Sequence, residues 1–491
     1  MMIAAAIALV VGASGSRAQG ERAVTDQAVR DFAQNFLHLQ HDDGSFDVSS
    51  RVQAHLKAQI GMALAAQALH EPLYAAAAAR DHAWVATYYL ESDGGLSWDG
   101  TSDPFFFECH QHWFLIASHL IGASLGTESE EVARRRAVWA FLRRTNQAGE
   151  DFYLHNQAHY GPFFAYRCVD RDGRFMTQFP FKGSYEVGVA LWSLAILKDA
   201  GEDEPVSVGD SLAIAAYLDY SVRQAILPPQ ELGFYQPGQQ RWTRSILWHN
   251  PGWWGYEAPD WKYALHMEEG ALEYEYRTGQ DELESAIRGE LQQLLSRVRP
   301  DGQIQDFPDA FGAAVYEFGE ALSVLGLAAL TFCQRDPQLA QDCMLAGQRV
   351  ADHALHTFWP QSSEEGAMLL GGLSRVLEAQ YALEALAENA GEGPSDHAAG
   401  ADRVVLRIAP TPTTGRVGVH WSLPIAAPAT LSVFDVNGRQ LTSMALTGAS
   451  RAGDLAWDLR DRRGYNLPNG HYIMVIDTKL GRMTNGFVVA R

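Results

Sequence analysis

The sequence predicts a mainly α chain, a closed ring of about twelve helices paired as six hairpins, followed by a small all-β sandwich. Three observations predict it. Apolar residues recur every three or four positions through residues 24–390. The connections between those segments alternate between short and long, and beyond residue 402 the period changes from helical to alternating.

The helical segments fall at 24–41, 51–71, 74–91, 107–124, 129–146, 183–201, 207–226, 259–279, 281–298, 313–334, 337–357 and 366–390. Thr127 with Glu130 fits a capping box, and Asp336 followed by Pro337 supplies a cap and a first-turn proline. Links leaving the even-numbered helices are short. Links entering them run through 42–50, 92–106, 147–182, 227–258, 299–312 and 358–365, which gathers every long loop on one face. Turn-forming pairs recur in them at Asp43-Gly44, Asp93-Gly94, Asp172-Gly173 and Asp301-Gly302. The helices after these loops are rich in Ala, Gly and Leu, as in Gln59–Leu69 and Gly188–Leu197, so they can approach closely around an axis. An open α-solenoid is the competing architecture, but solenoids rarely alternate connection lengths so regularly. The pattern over these roughly 370 residues resembles the (α/α)6 toroid of six-hairpin glycosidases, toroidal polysaccharide lyases and terpene cyclases. The body has no DxDD or other diphosphate-ionising acidic cluster, which argues against a cyclase.

Residues 391–402 read as a linker, and residues 403–491 hold strand candidates at Val404–Ile408, Arg416–Leu423, Ala429–Asp435, Leu441–Leu446, Asp454–Asp458, Gly470–Asp477 and Arg482–Ala490. The series Pro410-Thr411-Pro412 with Gly415, Leu431 to Arg439, Gly453 to Asp458, Asp461 with Gly464, and Asn469-Gly470-His471-Tyr472 resembles the FlgD-type immunoglobulin-like fold shared by type IX secretion C-terminal sorting domains. Its first motif departs from that pattern, with Ala409-Pro410 where Asn-Pro is usual. The resemblance implies passage across an outer membrane with the secretion machinery as partner. A purely structural immunoglobulin-like domain is the other reading.

The apolar run at residues 2–12 and the small residues around Ser16-Arg17-Ala18 read as a signal peptide, residues 1–18, cut near Ala18; a buried N-terminal helix is the alternative. No later stretch has the roughly 18 uninterrupted apolar residues of a membrane span, so none is expected in the mature chain. The expected location is therefore secreted or at the outer-membrane surface. A formal charge of −21 leaves no basic surplus for nucleic acid, and it favours a neutral substrate over a highly anionic one. The four cysteines permit two bridges. Cys109 and Cys168, both placed before successive helices on one face, are the preferred pair, whereas Cys333 and Cys343 read equally as a bridge or as buried thiols.

The long loops and the turns after them are crowded with aromatic residues, among them Trp98, Trp113, Tyr185, Trp248, Trp253, Trp254, Tyr256, Trp261 and Tyr316. Flat faces with polar edges suit sugar rings, although most of these residues are expected to pack loops onto the ring. Carboxylates share the rim: Glu108, Glu186, Glu257, Asp260, Glu317 and Glu320. Each has a capping role as its alternative. A glycoside hydrolase needs one protonated and one ionised carboxyl across the scissile bond, and the preferred pair is Glu186 with Glu257.

A polysaccharide lyase would use His and Tyr instead, because β-elimination needs a base at C5 and a proton donor to the leaving oxygen. His155 to Tyr160 is similar to the Asn-His-Tyr cluster of toroidal alginate lyases, which points to His159 and Tyr160, with Trp248-His249-Asn250 and either Arg167 or Lys182 completing the site. Glu108 and His112, four apart on a helix, have metal-ligand spacing, but a hydrogen-bonded histidine is the preferred reading; no metal or cofactor is expected. The expected function is thus an exported carbohydrate-active enzyme, hydrolase first and lyase second, acting on a polysaccharide or oligosaccharide. A non-catalytic glycan-binding or scaffold protein is the third reading.

Overall fold

The computed structural model describes residues 24–97, 108–126, 129–155, 181–199, 208–226, 234–243, 245–250, 253–256, 261–307, 311–358, 364–391, 405–409, 416–435, 440–460, 462, 464–468, 470–478 and 481–489. The chain forms two compact units, Met1–Gly391 and Glu392–Arg491.

The first unit contains twelve helices among the described residues: α1 (Asp26–His38), α2 (Val52–Leu69), α3 (Pro72–Tyr88), α4 (Glu108–Leu125), α5 (Ser129–His155), α6 (Ser184–Asp199), α7 (Val208–Ile226), α8 (Trp261–Thr278), α9 (Glu284–Arg297), α10 (Phe311–Phe332), α11 (Pro337–Thr357) and α12 (Glu364–Gly391). The even-numbered helices form the inner ring. Each packs on the next, from α2 to α12, and α12 packs back on α2. The ring is therefore closed, an (α/α)6 toroid rather than a solenoid.

Small residues make this closure possible. A Cβ placed on Gly270 of α8 would lie 1.9 Å from the carbonyl oxygen of Gly188 on α6, and one on Gly372 of α12 would lie 2.2 Å from that of Gly319 on α10. Backbone rests on backbone at these crossings, and a side chain would force the helices apart. The inner helices are consequently buried on nearly all sides, as α2 illustrates from Ala54 to Ala66. The segment Val315–Phe332 of α10 has the length and composition of a membrane span, but 94% of it is buried in this core. Its apolar character follows from its place in the ring.

Local chemistry sets the boundaries. Asp336 accepts the Leu339 N–H at 3.1 Å and Pro337 opens α11, as its sequence predicts. Pro72 differs from expectation: it sits in the first turn of α3 rather than in the link, because His70, with φ of 53°, already ends α2 in the left-handed conformation. Helix α5 continues to His155, through residues assigned from the sequence to the long loop. Thr127 lies outside the described residues.

The Asp-Gly repeat has a structural counterpart. Isolated bridges join Gln40 to Phe46, Leu90 to Leu96 and Val298 to Ile304. Inside each, the aspartate side chain accepts an N–H two residues on, at 3.0, 3.1 and 3.2 Å, and Gly44, Gly94 and Gly302 take positive φ. Each glycine also leans on the outer helix of the next hairpin, at Arg80, Ala137 and Arg349.

Shorter strands sit between inner and outer helices: β1 (Phe181–Gly183), β2 (Tyr235–Gln236), β3 (Arg241–Trp242), β4 (Ser245–Asn250) and β5 (Trp253–Tyr256). Strands β2 and β3 form a hairpin, and β1, β4 and β5 form an antiparallel sheet in that order.

The second unit contains β6 (Val405–Ala409), β7 (Val417–Asp435), β8 (Gln440–Trp457), β9 (Gly470–Thr478) and β10 (Gly481–Val489), all paired antiparallel. Five long strands replace the expected seven. The pairs of candidates joined within β7 and β8 are continuous ribbons whose register shifts between Ser422 and Ala429, around Pro424 and Pro428, where prolines cannot supply ladder N–H groups. One half of β7 pairs with β6 and the other with β9, and both halves contribute to one core, including Val419, Trp421, Leu431, Val433, Trp457 and Ile476.

Candidate functional site

The N-terminal two to three turns of the inner helices converge on one cluster of polar side chains. Helix α2 supplies Gln53 and Lys57, α4 Trp113, α6 Tyr185, α8 Lys262 and His266, α10 Tyr316 and Glu320, and α12 Glu364. These are the ends that the long loops enter.

Lys57 is the hub. Its ammonium donates to Glu364 Oε1 at 2.9 Å and to the Tyr316 hydroxyl, and it lies 4.2 Å from the Tyr316 ring centroid, with the Trp113 and Tyr185 rings at 5.6 and 5.7 Å. Gln53 donates to both Glu364 Oε1 and the Tyr185 hydroxyl at 3.1 Å, and the Trp113 indole donates to that hydroxyl at 3.1 Å. On the other side, His266 Nε2 lies 2.8 Å from the Tyr316 hydroxyl and contacts Glu320, while its Nδ1 is 3.8 Å from Glu269. A continuous path thus runs from Glu364 through Lys57, Tyr316 and His266 to Glu320.

Burial divides the charges along this path. It pushes Glu320 well above the usual carboxylate range, and the lysine charges reverse this only in part. It pushes His266 well down, and Lys57 and Lys262 push it further. At the His266–Glu320 contact, burial therefore disfavours the charged form of both partners. Burial would raise Glu364 too, but the Lys57 charge and hydrogen bond prevail and lower it, so Glu364 is ionised. Burial also raises Tyr316 and Tyr185 and lowers Lys57. Glu269, which accepts from Ser323, is pushed up to about 7 by burial. Beneath the cluster a cavity of about 20 Å³, room for about one water, is lined by Lys57, Trp113, Trp192, Glu269 and Ser323.

Of the residues singled out from the sequence, Trp113, Tyr185 and Tyr316 meet around Lys57. Trp261 does not join them. It is packed between the Arg241 guanidinium, 3.9 Å from its ring centroid, and Phe307, so it secures the start of α8. Glu186 is buried in the first turn of α6, Glu317 is partly exposed on α10, and Glu108 opens α4. The backbone of Trp248 and His249 lies on β4, and that of Trp253, Trp254 and Tyr256 on β5. Trp98, His159, Tyr160, Arg167, Cys168 and Glu257 lie outside the described residues. Cys109 is buried in α4, and Cys333 and Cys343 are free thiols. His112 contacts Ser193 Oγ at 2.6 Å, in keeping with a hydrogen-bonded histidine. Among the described residues no group of three or more His, Cys, Asp or Glu side chains is arranged to hold a metal ion.

Sequence reasoning missed Gln53, Lys57, Lys262, His266 and Glu364. Lys57 had a signal, as a lone cation inside an Ala-rich apolar helix. His266 and Glu364 carried no local mark.

No protein-family model matches the chain, and no curated protein matches it in sequence. Solved structures do match the ring. The GH76A α-1,6-mannanase from Salegentibacter sp. HEL1_6 superposes with a TM-score of 0.51 at 10% identity, over 73% of this chain and 99% of that one. A GH76 α-mannanase from Bacteroides thetaiotaomicron gives 0.51 at 11% identity, over 73% and 97%. A sugar epimerase from a ruminal bacterium gives 0.52 at 12% identity, over 71% and 98%. At these identities the likeness establishes the toroidal fold.

Proposed function

We propose that the protein is an exported carbohydrate-active enzyme that works at the rim where the inner helices begin, and that it is a glycoside hydrolase. One observation carries this reading: two carboxyls on adjacent inner helices, Glu320 and Glu364, lie along one chain of polar contacts, and their surroundings push the first well above and the second below the usual carboxylate range. Separated protonation states are what glycoside cleavage demands of its acid and its ionised partner. The buried Glu320 would communicate through His266 and Tyr316, whereas Glu364 is partly exposed. The names of the toroidal neighbours, mannanases and a sugar epimerase, favour a sugar ligand. Glu186, Glu108 and Glu317 remain candidates on the same inner helices, Glu257 remains a candidate outside the described residues, and the aromatic residues of β4 and β5 are the candidate sugar platforms. In this reading the C-terminal unit is a sorting module of the FlgD type, and Cys109 pairs with Cys168 after export.

A second reading rests on the contact between His266 and Tyr316, which suits proton transfer at carbon, as in elimination from a uronate. His159 and Tyr160 belong to that reading. One screen separates the cases. The protein is incubated with a polysaccharide panel that includes α-1,6-mannan and uronate polymers. New reducing ends without ultraviolet absorbance are expected. Absorbance from a new carbon–carbon double bond would establish elimination instead, and binding with unchanged chain length across the panel would leave a glycan-binding protein.

A further inference from the structure

We infer that Trp242 is a positioning residue for the rim: seated between α8 and α9, it fixes the segment that continues into the β1–β4–β5 sheet and, through that sheet, the first turn of α6. The inference rests on the proposed function only for what the rim does.

The β2–β3 hairpin has two residues in each strand, far too few to hold itself together. Its anchorage is polar and deep. Trp242 is fully buried; its indole N–H donates to Glu268 Oε2 at 2.7 Å and its backbone N–H to Glu290 Oε2 at 2.9 Å. Arg241 donates to the other Glu290 oxygen at 3.2 Å and covers Trp261, the residue that opens α8. Tyr235 meets the Trp242 ring edge-on at 5.1 Å. A Cβ on Gly289 of α9 would lie 1.9 Å from the Tyr235 hydroxyl, so the outer helix gives up a side chain to seat the hairpin.

The strand beyond Trp242 gives this anchorage a reach past local packing. Ser245, where β4 begins, pairs with Gly183 at the end of β1, and β1 runs directly into α6. There Tyr185 receives the Gln53 and Trp113 hydrogen bonds of the central cluster. Helix α8, gripped at Trp261 and Glu268, carries Lys262 and His266. One hairpin therefore sets two of the six helices that build the site.

Hydrogen exchange on the full chain tests this. In Trp242→Phe, which removes the indole donor and keeps a ring, amides of Ser245–Tyr256 and Phe181–Tyr185 are expected to exchange about tenfold faster or more, with α2 and α12 unchanged. Glu290→Gln keeps an acceptor for the Trp242 N–H and removes the charge facing Arg241; a smaller acceleration in the same segments is expected. It decides the matter if Trp242→Phe does not fold. Acceleration confined to residues 234–243, or spread evenly through the ring, overturns the inference. On any panel polysaccharide that the wild type cleaves, Trp242→Phe is expected to raise KM about tenfold with kcat changed less than about twofold. Equal losses in kcat and kcat/KM would overturn the positioning role. If the wild type cleaves none, the functional reading fails and the exchange pattern alone decides whether Trp242 anchors the sheet.

Discussion

Lys57 on α2 and Glu364 on α12 are joined at 2.9 Å across the seam where the first and last inner helices meet. Lys57 has no exposed side-chain surface, whereas Glu364 retains 22%. The two ends of the ring are thus tied by an ion pair whose cation has no surface open to bulk solvent. Glu364→Gln removes the countercharge and leaves that cation buried, which should cost about 3 kcal/mol. Lys57→Met should cost less, because the carboxylate left behind can be hydrated. In urea titrations the double variant should be more stable than the two single losses added together. Additive losses would mean that the pair does not close the ring.

The buried carboxyls predict an unusual pH dependence. Burial pushes Glu269, Glu275 and Glu290 up to about 7. A raised carboxyl holds its proton more tightly folded than unfolded, so stability falls as pH rises from about 4.5, the unfolded value, to about 7, and then levels off. Glu131 works the other way. Burial would raise it, but His82 and Ser118 hold it down to about 2, so its stabilisation is complete above about 4.5 and is lost as pH falls through about 2. The urea midpoint should therefore decline between pH 5 and pH 8. Glu269→Gln should flatten that decline by at most about 3 kcal/mol. Parallel curves for variant and wild type would show that Glu269 does not titrate there.

Two glycine substitutions should have opposite outcomes. In Gly270→Ala the new methyl meets the Gly188 carbonyl oxygen, so α6 and α8 must separate, at a cost of about 3 kcal/mol or more. At Gly371 a Cβ would meet only Leu64 and Gly61, at 3.6 and 3.8 Å, ordinary contact distances. Gly371→Ala should therefore gain up to about 1 kcal/mol of helix propensity. Thermal melts of both variants check this. Similar melting temperatures would mean that the α6–α8 crossing is not set by backbone contact.

The ring was legible because its signals are local or periodic. Amphipathic spacing marks the helices, Asp43, Asp93 and Asp301 mark repeated turns, and Asp336-Pro337 marks a helix start. The centre was less legible. Trp113, Tyr185 and Tyr316 stood out as aromatic residues in first turns, but Lys57, His266 and Glu364 are distant in sequence and meet only because α12 closes on α2. No local pattern carries that information. Trp261 shows the converse: its position suited a sugar platform, but it is buried against Arg241 of β3 and Phe307, both distant from it in sequence. In the β unit, alternation located the strand residues, and the region of Pro424 and Pro428 that read as a break is where the β7–β8 pairing lapses, with only Ala427 paired, to Ser450, between Ser422 and Ala429.

Tyr316 offers the sharpest test of the proposed site. Its hydroxyl joins Lys57 to His266, and hence Glu364 to Glu320. Tyr316→Phe keeps the ring, which packs edge-on to His266 at 5.9 Å and lies beneath the Lys57 ammonium, and deletes the hydroxyl's contacts with Lys57, His266 and Glu320. The stability cost should be about 1–2 kcal/mol, since Lys57 keeps Glu364 and His266 keeps Glu320. If protons move along this path, kcat on the cleaved polysaccharide should fall about 100-fold or more, while KM changes little. A Glu320→Gln variant should lose a similar factor, and the double variant should lose little beyond either one, because residues in one relay fail together rather than additively. A Tyr316→Phe enzyme with wild-type kcat would place the chemistry elsewhere on the rim and leave the Lys57 cluster a purely structural hub.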